Sequence, residues 1–243
     1  MKDLGRVFFG FVAVAALASP LAAKDKKTGA NPLKETAAQI STALSKNDAT
    51  AAQAGFARAE GLRESYDDKK LAPVAKAVGK GVTHKNAQIS MAAVETLGKL
   101  KVKGSGKLLG KLINPPAKVK DDKVAGHQAA IRAAGAIHDI ETLKSLEKLL
   151  LHANPDIATT AAEALVGYKV LDLKPKASLV KRLVATLAKL EKAAAAKKSD
   201  ESRENAEKAA AALATTLTGL TGKEGLSKSS EWNAWLKDQK KKS

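Results

Sequence analysis

Between Asn31 and about Gly222 apolar residues recur at intervals of three and four, and no stretch alternates apolar with polar in the manner of a strand. Such spacing lines apolar side chains along one face of a helix, so the pattern predicts an all-α chain. Helix starts are also written in the sequence. Asn31-Pro32 and Asn154-Pro155 each set a capping side chain ahead of a proline at the first helical position, and Asp139 and Ser199 are placed to cap two further helices. Breaks are expected at Gly79 to Gly81, Gly104 to Gly106, Asn114-Pro115-Pro116 and Lys174-Pro175. Residues 193–212, AAAAKKSDESRENAEKAAAA, predict the end of one long helix, a polar break at Lys197 to Ser199 and a new helix from Asp200.

The breaks are periodic. Ile89, Ala93, Val94, Leu97, Gly98 and Leu100 return in outline as Gly126, Ala130, Ile131, Ala134, Gly135 and Ile137, 37 residues on, and Gly61 lies another 37 before Gly98. A further copy, Ile157, Ala161, Ala162, Ala164, Leu165 and Tyr168, runs slightly out of step. Each copy is followed by a more leucine-rich amphipathic segment, around residues 71–80, 105–113, 141–152 and 176–192. Helix pairs at this period predict a solenoid. Small residues such as Ala93, Ala130, Ala161 and Ala162 let paired helices approach closely, leucines of the second helices fill the layer between pairs, and stability comes from stacking.

At these residues the chain resembles the HEAT-repeat family, whose first helix tends to read V-x-x-x-A-A-x-A-L-G-x-L. Ile89 to Leu100 and Ile157 to Tyr168 match that pattern best, Gly126 to Ile137 follows it in part, and the copy ending near Gly61 follows it least. The resemblance implies a HEAT-like α-solenoid of about four to five stacked helical hairpins, here over residues 32–222. It also implies that the second helices line a concave surface.

The two ends of the chain carry separate signals. Residues 1–23, MKDLGRVFFGFVAVAALASPLAA, place Lys2 and Arg6 ahead of an apolar run from Val7 to Leu17 and then small residues. This is the layout of a secretory signal peptide. A membrane anchor is the competing reading, but it needs about 20 apolar residues, and Ser19 and Pro20 cut this run short. The chain is therefore expected to be exported, periplasmic or extracellular, with cleavage between Ala18 and Ala23 and a basic linker over residues 24–31. At the other end, residues 223–243 hold Trp232 and Trp235, which three-residue spacing puts on one helical face. They are expected to form a tail that caps the last repeat, and the Trp-x-x-Trp ending is similar to those closing some bacterial exported HEAT-repeat proteins.

Composition narrows the chemistry. The 243 residues include no cysteine, which excludes disulfides, thiolate catalysis, Cys-ligated metal and a lipidated cysteine. Only Phe56, Tyr66, Tyr168, Trp232 and Trp235 remain as aromatics beyond residue 23, few for a protein that stacks nucleic-acid bases. Gly104-Ser105-Gly106-Lys107 has the outline of a phosphate loop. That pattern requires a glycine five residues before the Gly-Lys pair and Ser or Thr after it, where this chain has Lys101 and Leu108. His84, His127, His138 and His152 form no close pair at metal-ligand helix spacing. Asp67-Asp68 and Asp121-Asp122 precede predicted helices, where acids serve capping and the helix dipole. No serine sits in a nucleophile elbow. The sequence predicts no catalysis and no cofactor.

Charge is the one feature above that background. The formal net charge is +17, and residues 69–120 hold twelve lysines, no arginine and a single acid, Glu95. Lys76 and Lys80, Lys107 and Lys111, and Lys144 and Lys148 are spaced i,i+4 in the second helices, and Lys181 follows in the next repeat. On a helical wheel each pair lies opposite its helix's apolar side, for example Leu108, Leu109, Leu112 and Ile113. Every amphipathic helix has a solvated face, and lysine is common there. Here, however, few acids balance the lysines, which leaves a field of one sign that attracts anions and weakens with salt. The expectation is a non-enzymatic scaffold that binds a protein or a polyanionic surface through these seven lysines. The alternatives are a non-catalytic or cryptic subunit of a periplasmic enzyme complex, and a nucleic-acid-binding HEAT-like protein.

Overall fold

A computed structural model describes residues 31–196 and 199–242; the expected signal peptide and nearly all of the linker lie outside these residues. Among the described residues the chain is all-helical. The elements are α1 (Pro32–Ser45), α2 (Ala49–Leu62), α3 (Asp68–Gly79), α4 (Ala87–Leu100), a 3₁₀ segment η1 (Gly106–Ile113), α5 (Asp121–Ile137), α6 (Ile140–Leu149), α7 (Pro155–Leu165), a second 3₁₀ segment η2 (Val166–Val170), α8 (Leu173–Ala195), α9 (Asp200–Thr221) and α10 (Ser229–Lys242).

The elements pack as five neighbouring pairs: α1 with α2, α3 with α4, η1 with α5, α6 with α7, and α8 with α9. In one layer α2, α4, α5, α7 and α9 follow one another side by side; in the other, α1, α3, η1 and α6 do the same. Arg182 of α8 reaches Glu147 of α6 through two hydrogen bonds, at 2.7 and 2.8 Å, and carries the second layer onward. The result is a two-layer, solenoid-like stack with a continuous core of alanine, valine, leucine and isoleucine. The leucine-rich elements pair with the small-residue helix that follows them, whereas the sequence grouped each with the helix before it. A repeat period fixes spacing but not phase, so only contacts reveal which neighbours form the hairpin.

Capping explains most helix starts. The Asn31 side chain accepts the Leu33 N–H at 3.0 Å, and Asn154 accepts those of Asp156 and Ile157 at 3.0 and 3.1 Å. Asp48, Asp67 and Asn86 do the same for α2, α3 and α4, and Ser199 for α9. Asp139 departs from expectation: it stands at the start of α6, but its carboxylate leaves that helix uncapped and bonds to a different repeat.

The period of 37 has a steric origin. A Cβ on Gly98 of α4 would lie 3.1 Å from the Ala133 Cα of α5, and one on Gly135 would lie 2.8 Å from the Ala164 Cα of α7. Adjacent helices of the small-residue layer touch backbone to side chain at these positions. Gly61, the third member of the set, has nothing within 4 Å of its added Cβ. The copy with the poorest sequence match is thus the one without a close crossing.

The segment over 105–113 departs most from the sequence reading. It is 3₁₀ rather than α-helical, and Gly110 breaks it with φ 47° and ψ −121°, a conformation open to glycine because it lacks a Cβ. At the C-terminal end, α10 lies against α8. Trp232 is fully buried and meets Trp235 edge to face, with ring centroids 5.6 Å apart. Glu191 of α8 accepts the Ser229 N–H at 2.9 Å. Glu231 accepts the Ser227 and Lys228 N–H groups at 2.8 and 2.9 Å, and these bonds hold its carboxyl below the usual range.

Candidate functional site

All seven lysines singled out from sequence are exposed, and none forms an ion pair or side-chain hydrogen bond among the described residues. Lys76 and Lys80 stand in the last turn and at the C-cap of α3, and Lys144 and Lys148 one turn apart on α6. Both pairs retain helical i,i+4 geometry. Lys107 and Lys111 do not: four residues of 3₁₀ chain interrupted at Gly110 turn them away from a shared face. Lys111 instead lines a groove with Lys85 and Lys123, which come from other elements. Lys181 borders a groove of about 550 Å³ between α8 and α10, beside Trp235 and Leu236.

Most acids near these lysines have other duties, the exception being Glu141, exposed three residues before Lys144 on α6. Glu147, on α6 between Lys144 and Lys148, is engaged by Arg182. That contact also lifts the Arg182 pKa above its ordinary value, against the opposing effect of burial. Asp67 caps α3. Burial of Asp68 disfavours its charge, but hydrogen bonds from the Arg63 guanidinium and the Lys103 backbone N–H outweigh this and leave its carboxyl below the ordinary range. Glu95 is exposed on α4, in the other layer.

The loop that imitates a phosphate site is closed by the protein itself. Asp139 is only 5% exposed, and its two carboxylate oxygens each accept one N–H, from Gly104 and from Gly106, both at 2.6 Å. Asp68 takes the Lys103 N–H at 3.1 Å from the other side. Backbone amides arranged in this way attract an anion, and the anion here is a side chain. The Asp139 carbonyl meanwhile accepts a 2.9 Å bond from the buried Tyr168 hydroxyl, whose oxygen lies 2.8 Å from the Thr142 hydroxyl. Burial pushes the Tyr168 pKa up to about 12.

The histidines likewise serve the stack. In His84 and His152 the Nδ1 atom accepts the N–H of the residue two further on, Asn86 or Asn154, at 3.1 and 3.0 Å. Nε2 faces the Leu44 carbonyl at 3.2 Å in the first and the Pro116 carbonyl at 3.0 Å in the second. His138 packs edge to face on Tyr168, and burial followed by the charge of Lys101 lowers its pKa. His127 donates from Nδ1 to the Leu112 carbonyl at 2.9 Å, because a carbonyl can only accept. Among the described residues no three His, Asp or Glu side chains are grouped to hold a metal ion, and no helix is long and apolar enough to cross a membrane.

Sequence reasoning missed the groove shared by Lys85, Lys111 and Lys123, because its members sit on separate elements. It also missed the paired histidines, although the His-x-Asn step ahead of two helix starts was there to be read. No protein-family model matches the chain, and no curated protein matches it in sequence.

Proposed function

We propose that the protein is an exported, non-enzymatic HEAT-like scaffold that binds a polyanionic surface or an acidic protein through lysines of its second layer. The observation that carries this reading is the state of Lys76, Lys80, Lys107, Lys111, Lys144, Lys148 and Lys181. All are exposed on α3, η1, α6 and α8 without an ionic partner among the described residues, while neighbouring Glu147 and Asp68 are committed elsewhere. Surface charge normally mixes signs, and a run of unbalanced lysines gives a field that concentrates anions. Lysine offers point charges rather than the planar fork of arginine, so this surface suits tolerant binding of a charged polymer over recognition of one group in one orientation.

The test replaces Lys76, Lys80, Lys107 and Lys111 with Glu and measures elution from immobilised dextran sulfate in a salt gradient. The parent protein is expected to be retained and the variant to elute at markedly lower salt. Equal elution of the two would end the proposal.

A further inference from the structure

The groove that gathers Lys85, Lys111 and Lys123 differs from the exposed lysine layer in having an apolar floor. It encloses about 350 Å³ where two repeats meet: the connection between α3 and α4 on one side, the end of η1 and the first turns of α5 on the other. Val82 and Val94 lie at its base, each 1% exposed, with the half-buried side chains of Met91 and Leu112 beside them. Three lysines line this groove, and the single acidic residue among the lining residues, Asp122, has its carboxylate 3.5 Å from Lys123 Nζ. Thr83 and His127 also line it; among the described residues the Thr83 hydroxyl and His127 Nε2 have no protein partner, His127 binding the Leu112 carbonyl through Nδ1.

From this we infer a binding site for a small amphipathic organic anion, one carboxylate or sulfonate attached to a compact apolar body. The two parts of the groove make separate demands. Its floor removes apolar surface from water, which favours a hydrocarbon or aromatic group at about 25 cal/mol per Å² buried. Its rim carries an excess of positive charge, which disfavours a cation and gives a neutral molecule nothing to pair with. An inorganic anion would meet the rim but leave the floor wetted. The volume lies at the small end of ligand pockets, about 300 to 1,000 Å³, and excludes a folded partner or the body of a polymer. The site is independent of the polyanion reading: of the seven lysines only Lys111 belongs to both.

The probe is 8-anilino-1-naphthalenesulfonate, titrated by fluorescence into the whole protein. One saturable site is expected, with octanoate displacing the dye and octylammonium or sodium sulfate at equal ionic strength leaving it bound. The exposed pair Lys85→Gln and Lys123→Gln together should weaken the dye by about fivefold, from about 0.5 kcal/mol per exposed charge contact. Asp122→Asn should tighten it, because that change removes the one opposing charge and leaves the floor intact. Lys144→Gln with Lys148→Gln, on another face, should leave dye affinity unchanged while lowering retention on dextran sulfate. Absence of a saturable site, equal displacement by octylammonium, or unchanged dye affinity in both the lysine and the Asp122 variants would overturn the inference. The dextran sulfate result is read separately and decides the other proposal.

Discussion

Asp139 Oδ2 accepts the Gly106 N–H at 2.6 Å, and a Cβ on Gly106 would stand 2.7 Å from that same oxygen. The two residues come from different repeats, so the absence of a side chain at 106 is what lets one repeat's carboxylate reach the backbone of another. Asp139→Ala would strand the Gly104 and Gly106 N–H groups, the second of them buried, at an expected cost of about 3 kcal/mol. Asp139→Asn keeps the shape but offers one acceptor oxygen in place of two and should fall between. Urea unfolding of the two variants checks the order; an Asp139→Ala protein as stable as the parent would show that the loop is held by something else.

Tyr168 gives a pH-dependent readout of the same junction. Its pKa rises from 10.0 to about 12 in the folded chain, because burial disfavours the phenolate. The folded state then holds a proton that the unfolded state has released, so this contribution to stability is fully present below pH 10 and is lost as pH climbs towards 12. Tyr168→Phe removes the effect and should flatten the alkaline arm of the stability profile, while costing about 1 kcal/mol at neutral pH through lost hydrogen bonds. Ultraviolet titration in a Tyr66→Phe background would follow the single remaining phenol, since the chain has two tyrosines. Ionisation of Tyr168 near pH 10 in the folded protein would contradict the assignment.

The glycines spaced by 37 residues should not respond alike. Gly135→Ala drives a methyl to 2.8 Å from the Ala164 Cα, a backbone contact that cannot swing aside, and should cost about 2 kcal/mol or more. At Gly98 the nearest atoms are 3.1 Å away, so the penalty should be smaller. Gly61 meets nothing within 4 Å and sits in α2, so Gly61→Ala should raise stability by about 0.5 kcal/mol through helix propensity. Thermal denaturation of the three variants gives the ranking, and destabilisation by Gly61→Ala would break the steric account.

These comparisons mark where the sequence was readable. Apolar spacing and caps such as Asn31, Asn154 and Ser199 are local, and they carried the all-helical architecture and most helix starts. Gly110 was opaque because the backbone conformation of one residue, not composition, breaks the 3₁₀ segment and parts Lys107 from Lys111. Asp139 was misread for the complementary reason: it occupies a capping position, yet two amides from another repeat compete for its carboxylate and win. Of the candidate lysines, sequence could establish exposure from the helical wheel, but not that Lys85 and Lys123 join Lys111. Spacing along a chain reports neighbours on one helix and says little about residues that meet at the edge between repeats.

His84 and His152 perform the same task at two edges of the stack, and the geometry fixes their chemistry. Each Nδ1 accepts a backbone N–H and so carries no proton, which leaves Nε2–H to donate to the carbonyl of Leu44 or Pro116. One imidazole thus ties a helix start to an earlier part of the stack, the end of α1 40 residues back in the first case and the connection after η1 36 residues back in the second. Alanine at either position should cost about 1 kcal/mol, the usual net value of a hydrogen bond. Because the two sites share no partner, the double variant should lose the sum of the single losses to within about 0.5 kcal/mol. His→Gln should recover little, since a side-chain amide cannot accept at the Nδ1 position and donate at the Nε2 position with the same reach. Equilibrium urea unfolding of the singles and the double forms a complete cycle. A coupling well beyond additivity would mean that the repeats communicate across the layer between these histidines, and that each does not merely fasten its own pair.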